Sequence, residues 1–165
     1  MRILFTAIRA ALVAMLFVGL WGWVAFQLRR FDPPLGGPLP SWTELPGVVL
    51  IALGAALALS CIVCFVVRGH GTPAPFDPPR NFVVAGPYRW VRNPMYVGGA
   101  AMLLGLALVL QSPSILLFVP VWWLLAHLLV LSYEEPTLRR NFGASFEEYC
   151  RRVPRWWPKS PRAAH

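Results

Sequence analysis

What most limits the folds open to this chain is the distribution of its apolar residues. They fall in four long runs nearly free of charge, joined by connectors crowded with proline, glycine and arginine. The first run covers residues 3–28, and from Ala10 to Leu28 only Gln27 is strongly polar. The second, Pro46 to Val67, contains no charge; the third, Met95 to Leu110, is shorter; the fourth is Ile115 to Tyr133. About 20 apolar residues cross a hydrocarbon core of about 30 Å when helical. The expected fold is an all-α integral membrane protein, one membrane domain over residues 1–165. It has about four transmembrane helices, near 3–28, 46–67, 94–111 and 114–134, and a cytoplasmic amphipathic helical tail over 136–165. Arg2 and the first run imitate a signal peptide. The run is too long for one and lacks a small-residue cleavage site, so a retained helix is expected.

The charges are consistent with this. Only 13% of the 165 residues are charged and 57% are hydrophobic, whereas soluble domains carry about 25% charge. A net charge of +8 in a soluble chain points to nucleic acid. Here the basic residues sit between and beyond the apolar runs, so the lipid bilayer is the expected partner and nucleic acid is not. Four crossings place both termini and the 68–94 connector on one side. That side holds Arg2, Arg9, Arg68, Arg80, Arg89, Arg92, Arg139, Arg140 and the basic residues beyond 150; the other holds only Arg29 and Arg30. The positive-inside rule makes the first side cytoplasmic.

Smaller features read as packing. Gly54 and Ala58 have the small-xxx-small spacing of close helix contacts. Cys61-x-x-Cys64 lies inside an apolar run without a second ligand pair, so it reads as small side chains rather than a metal site. Ser112-Pro113-Ser114 makes runs three and four a hairpin.

The polar stretch Gly86-Pro87-Tyr88-Arg89-Trp90-Val91-Arg92-Asn93-Pro94-Met95-Tyr96 leads into the third run. Asn93 suits a helix N-cap and Pro94 the first helical position. The helix start and Arg89 and Arg92 favour an anion. On the same side Glu134 and Glu135 end the fourth run, where both the hydrocarbon rim and a helix C-terminus disfavour negative charge. Compensation by Arg89, Arg92 or a bound cation is expected, and Pro136 should bend the chain there. His127, seven residues earlier, shares their face; as an intramembrane ionisable group it is either functional or a hydrogen-bonding link between helices. Tyr88 and Tyr96 either pack on a ligand ring or belong to the interfacial aromatic belt. In the tail, Leu138, Phe142, Phe146, Tyr149 and Val153 form an apolar stripe. Glu147–Arg151 and Glu148–Arg152 are i,i+4 pairs, Gly143 ends one helix, and Ser145-x-x-Glu148 reads as a capping box. The tail either lies on anionic lipid or covers the site, with Trp156 and Trp157 as interfacial anchors.

Three ordered motifs carry a family resemblance: Gly-Pro-Tyr-Arg-x-x-Arg-Asn-Pro-Met-Tyr at 86–96, Glu-Glu-Pro at 134–136, and Phe-Gly-x-x-Phe-x-x-Tyr-x-x-x-Val-Pro-Arg at 142–155. Together they resemble the integral-membrane methyltransferases, which include isoprenylcysteine carboxyl methyltransferases and phosphatidylethanolamine N-methyltransferases. The resemblance covers about residues 70–158. It implies S-adenosyl-L-methionine as methyl donor, in a pocket open to the cytosol. It also implies a membrane lipid or lipidated acceptor, either a phospholipid amine or an isoprenylcysteine-type carboxyl. Cofactor contacts carried over by position fall at Arg80, Asn81, Phe82, Val83, Tyr88, Arg92, Asn93, Pro94, Met95, Tyr96 and Glu134. An amine acceptor must lose a proton, and Glu135, Glu134, Tyr96 or His127 can take it. Asn93 stands where isoprenylcysteine enzymes usually carry histidine, and Val130 where they carry a substrate-binding arginine; both departures count against a prenylcysteine carboxyl. Two other readings are a sterol or enone reductase with a nicotinamide cofactor, and a non-catalytic membrane assembly or regulatory protein.

Overall fold

A computed structural model describes residues 2–35, 38–69 and 83–158, and these residues are helical without a strand. The α-helices are α1 (Arg2–Leu28), α2 (Glu44–Cys64), α3 (Pro94–Val109), α4 (Pro113–Leu129), α5 (Glu135–Phe142) and α6 (Ala144–Arg152). Three helical stretches are long and apolar enough to cross a membrane: Ala7–Phe31, Ser41–Gly69 and Pro113–Phe142. The apolar helix α3 has 16 residues, about 24 Å at 1.5 Å per residue. It falls short of a hydrocarbon thickness of about 30 Å.

Helices α2 and α3 pack antiparallel through glycine. A Cβ placed on Gly54 would lie 2.5 Å from the Gly98 carbonyl oxygen, and one on Gly105 would lie 2.6 Å from the Gly47 carbonyl oxygen. Lipid gives little hydrophobic reason for helices to associate, so close backbone approach and van der Waals packing carry the contact. Gly54 and Ala58 both line this contact as their spacing suggests, since a Cβ on Gly98 would lie 2.8 Å from the Gly54 carbonyl oxygen and 3.4 Å from the Ala58 nitrogen, and Gly47 extends the seam one heptad away. Seven-residue spacing on both helices keeps the seam along a shallow crossing. A second core joins α1, α3 and α4 through Ala25, Leu103, Ala107, Ile115, Trp122 and Ala126.

At the α3–α4 turn Gln111 adopts φ +51°, and Ser112 Oγ accepts from the Ile115 N–H at 3.4 Å. Asp32 reinforces this helix start from a distant part of the chain. Its Oδ1 accepts from the Ser114 N–H at 3.0 Å and from Ser112 Oγ at 2.8 Å. Gln111 in turn donates to Glu44 Oε1 at 2.6 Å, and the Leu39 N–H to the Gln111 carbonyl at 2.9 Å.

The fourth helix does not end at Glu134, as its sequence led us to expect. It passes through one π-helical turn, Val130–Glu134, and continues as α5 to Phe142. Pro136 supplies the reason. Its nitrogen has no hydrogen and its ring collides with the carbonyl four residues back. The preceding N–H, that of Glu135, bonds five residues back to Val130, and the wider turn makes room for the ring. Ser132 Oγ donates to the Leu128 carbonyl at 2.7 Å. The stretch Pro113–Phe142 has 30 residues, about 45 Å, so it outruns the hydrocarbon and carries Glu134 and Glu135 at its rim.

Gly143, at φ +51°, turns the chain from α5 into α6. The apolar tail residues do gather: Phe146, Tyr149 and Val153 are buried against Leu138 and Phe142. The Ser145–Glu148 capping box is absent. The Gly143 carbonyl instead accepts from the N–H groups of Phe146 and Glu147 at 3.1 and 3.2 Å. Glu148 pairs with Arg152 as its spacing suggests, but Glu147 pairs across the turn with Arg139 rather than with Arg151.

Candidate functional site

Three segments distant in sequence converge at one end of the bundle: the start of α3, the π turn of the fourth helix, and the residues following α6. Pro94 opens α3, preceded by Asn93 at φ −124° and ψ 54° without a side-chain cap. The expected cap is missing because the Asn93 amide is directed elsewhere. Its Nδ2 and its backbone N–H both donate to the Arg155 carbonyl, each at 3.3 Å. The Arg92 N–H donates to the Pro154 carbonyl at 2.9 Å. The 86–96 stretch thus holds the C-terminal segment against the helix start.

The two glutamates have different partners. Glu135, only 7% exposed, accepts from Arg155 Nε at 2.7 Å and from Arg155 Nη2 at 2.8 Å, one oxygen each. Arg92 Nη1 lies 2.9 Å from the first of these oxygens. This bidentate, charge-assisted geometry commits both carboxylate oxygens. Glu134 instead accepts a hydrogen bond from the Tyr96 hydroxyl through Oε1. Its charge has no arginine partner among the described residues. The compensation expected from Arg89 and Arg92 is therefore divided differently: Arg92 serves Glu135, and Arg89 is exposed.

Arg92 also donates through Nη1 to Cys150 Sγ at 2.8 Å, while its buried Nε has no partner among the described residues. Burial pushes the Tyr149 hydroxyl well above the ordinary tyrosine value, and Arg92 only partly opposes it. Tyr149 therefore stays a neutral donor, 2.6 Å from the Tyr88 carbonyl. Arg155 gains from its bonds to Glu135, which raise its affinity for its proton.

An aromatic group roofs the glutamate–tyrosine pair. The Trp156 ring stands 6.3 Å from that of Tyr96, edge to face, and 4.6 Å from that of Trp123. Trp156 Nε1 donates to His127 Nδ1 at 3.0 Å. A neutral imidazole that accepts at Nδ1 carries its proton on Nε2. His127 can act as a base only by giving up that bond. Trp157 stacks on Trp123 and is 71% exposed.

The remaining expected contacts are distributed as follows. Tyr88 is buried with Cys61, Val83 and Ala85, and Met95 packs on the same cluster. Phe65 meets the Tyr88 ring edge to face at 5.3 Å. Tyr88 and Val83 are thus core side chains in this arrangement. Arg80, Asn81 and Phe82 lie outside the described residues. Among the described residues there is no group of histidine, cysteine and carboxylates able to hold a metal. Sequence reasoning gave Arg155 no role. The signal was present: a carboxylate at the hydrocarbon rim needs a cation, and Arg155 closes the third motif.

Comparison with known proteins places these features. The family model for phospholipid methyltransferases matches residues 42–145. The chain belongs to that family. It is 30% identical over 121 residues to the phosphatidylethanolamine N-methyltransferase of Yarrowia lipolytica, an alignment covering 73% of this chain and 13% of that protein. It is 31% identical over 79 residues to the nickel-cobalt-cadmium resistance protein NccN of Alcaligenes xylosoxydans xylosoxydans, covering 48% of this chain and 37% of that protein. The matched stretches thus make up much less than two thirds of either relative. Within this phospholipid methyltransferase family member, the match takes in α2 to α5 and the α3 helix start. It leaves out α1 and the segment carrying Arg155 and Trp156.

Proposed function

We propose that this protein is a membrane methyltransferase that uses S-adenosyl-L-methionine and acts on a lipidic acceptor. The observation that carries the reading is the Tyr96–Glu134 pair, placed at the rim of the hydrocarbon inside the matched family region. The donor set fits the cofactor's chemistry. Its carboxylate calls for a cation and N–H groups, and the start of α3 offers the buried, unpartnered Arg92 Nε. Its ammonium and sulfonium call for a carboxylate, and Glu134 has its second oxygen uncommitted among the described residues. Bound there, the cofactor supplies an electrophilic methyl group.

The chain's residues do the rest. Glu135, Arg92 and Arg155 fix the angle between the fourth helix and the C-terminal segment. Trp156 and Trp123 exclude water over Tyr96, which strengthens the electrostatics beneath them. For an amine acceptor a proton must leave before attack, and Glu134, oriented by the Tyr96 hydroxyl, is the carboxylate placed to take it. Glu135, fully engaged by arginine, is a positioning residue. An amine acceptor agrees with the absence of an arginine at Val130 and with the Asn-Pro-Met-Tyr sequence at 93–96. Positioning of acceptor against methyl carbon at about 3–3.5 Å then supplies most of the rate.

Calorimetric titration of the purified protein with S-adenosylhomocysteine, with NADPH in parallel, tests this. Saturable S-adenosylhomocysteine binding that weakens in Glu134→Gln is the expected result. Binding of NADPH alone would assign the protein to reductase chemistry, and binding of neither by a folded sample would remove the enzymatic reading.

A further inference from the structure

The segment after α6 is held firmly at Arg155. The Arg155 carbonyl accepts from the Asn93 Nδ2 and backbone N–H, and the Arg155 guanidinium grips Glu135. These contacts set where the backbone of the next residue, Trp156, stands. They leave its side-chain torsions unset, and a side chain has several staggered choices. One bond makes the choice: Trp156 Nε1 donates to His127 Nδ1 at 3.0 Å. His127 precedes Glu134 by seven residues on the fourth helix, about 10 Å back along its axis. The indole is thereby directed back along that helix. There its ring meets Tyr96 edge to face at 6.3 Å and Trp123 at 4.6 Å, and Tyr96 is the residue whose hydroxyl bonds Glu134.

We propose that His127 is a positioning residue for the methyl-transfer site and acts through Trp156: its Nδ1 selects the indole rotamer that roofs the Tyr96–Glu134 pair. The inference rests on the methyltransferase reading and deepens it. Only the neutral tautomer with its proton on Nε2 accepts at Nδ1. Its one free lone pair is committed to the indole, which takes His127 out of the set of bases for an acceptor proton and leaves Glu134. The same bond explains a histidine between Leu124 and Leu131, where every other residue is apolar. The carbonyls of a helix are engaged within it, so a side chain must supply the acceptor. An indole released from His127 would swing off Tyr96 and admit water beside Glu134. That would weaken the carboxylate's hold on the ammonium of a bound cofactor.

Two variants of the full-length protein in detergent test this. His127→Leu removes the acceptor. His127→Asn restores one, because the asparagine Oδ1 falls close to the place of the imidazole Nδ1. The first readout is the indole N–H resonance of Trp156 in 15N-tryptophan-labelled protein without ligand, assigned by its loss in Trp156→Phe. It should move upfield and exchange faster with solvent in His127→Leu, and stay near its wild-type position in His127→Asn. No cofactor enters, so this arm is independent of the methyltransferase reading. The second readout is affinity for S-adenosylhomocysteine. It should fall about fivefold in His127→Leu, the range of one neutral hydrogen bond, and recover to within about twofold of wild type in His127→Asn. Trp156→Phe should weaken binding at least as much, and adding His127→Leu to it should weaken binding no further, because the two residues act as a unit. An unmoved indole resonance in His127→Leu would overturn the bond. A moved resonance with unchanged affinity would overturn the positioning role, as would additive losses in the double variant or failure of His127→Asn to recover either readout. Failure of the wild type to bind S-adenosylhomocysteine would remove the methyltransferase reading and with it the role of His127, while the resonance would still decide the bond.

Discussion

Glu134 and Glu135 leave the same helix one residue apart, yet one meets a tyrosine hydroxyl and the other two guanidinium groups. That division sets their expected mutational behaviour. Replacing Glu135 by glutamine leaves Arg92, nearly buried, facing a neutral amide. Breaking a buried ion pair from one side costs about 3–5 kcal/mol, and the partial exposure of Arg155 lowers this to about 2–3 kcal/mol here. Glu135→Gln should therefore show a clearly lower thermal midpoint in detergent. Glu134→Gln keeps an acceptor for the Tyr96 hydroxyl and should lose under about 1 kcal/mol, while its affinity for S-adenosylhomocysteine falls. Equal loss of stability in the two variants would contradict the assignment of Glu135 as the structural carboxylate. Adjacent glutamates before a proline could be recognised in the sequence as a site, and Arg92 as a cation for them, but which glutamate takes which partner could not. Pairing depended on a C-terminal segment whose docking is set by backbone bonds from Arg92 and Asn93, and such bonds leave no mark on side-chain identity.

Among the elements, the α2–α3 seam and the π turn respond to single atoms. Gly54→Ala would press a methyl group to within 2.5 Å of the Gly98 carbonyl, so the helices must separate. Overpacking of this kind costs about 1–3 kcal/mol. Gly19→Ala meets nothing within 4 Å and should be neutral or slightly stabilising, because alanine is the better helix former by about 1 kcal/mol. The two variants compared by thermal unfolding separate crowding from helix propensity. Pro136→Ala removes the reason for the π turn. A regular helix would drop the extra residue and rotate α5 by about 100° relative to α4. The Tyr96–Glu134 bond and the Arg155–Glu135 pair cannot then both persist. We expect a folded protein with weakened S-adenosylhomocysteine binding; unchanged binding would mean that the turn has no part in placing the glutamates. The apolar runs announced the existence of these helices. Gly54 and Ala58 marked part of the seam, but its extension to Gly47 was hidden because it depends on which residues of α3 lie opposite.

At the scale of the whole molecule, the apolar bundle is tied by a polar knot at each end. One is the arginine–glutamate group at the candidate site. The other is Asp32 at the α3–α4 turn, which nothing in the sequence marked, since an aspartate in a proline-rich connector ordinarily faces water. Its partners lie 80 and 82 residues away, at Ser112 and Ser114. Asp32 is a helix cap supplied from another part of the chain, and it fixes α1 and the first connector to the hairpin. Burial works against its charge, but the side-chain and backbone hydrogen bonds from Ser114 and that from Ser112 outweigh it, with Arg29 adding to them. Together they hold the carboxyl below its ordinary value of 3.8. A carboxyl whose folded pKa is depressed contributes stability in full above its unfolded value, and that contribution is lost as pH falls through the folded value. The thermal midpoint of the wild type should therefore fall as pH drops below about 4, and Asp32→Asn should start lower at neutral pH and lose less over the same interval. The comparison is made against Glu135→Gln, the other carboxylate engaged by charge-assisted hydrogen bonds. Each variant should remove its own part of the acid dependence, and the two parts should add, because the groups lie at opposite ends of the bundle and share no partner. If the acid limb of Asp32→Asn matches that of the wild type, the distant cap does not contribute to holding α1 in place.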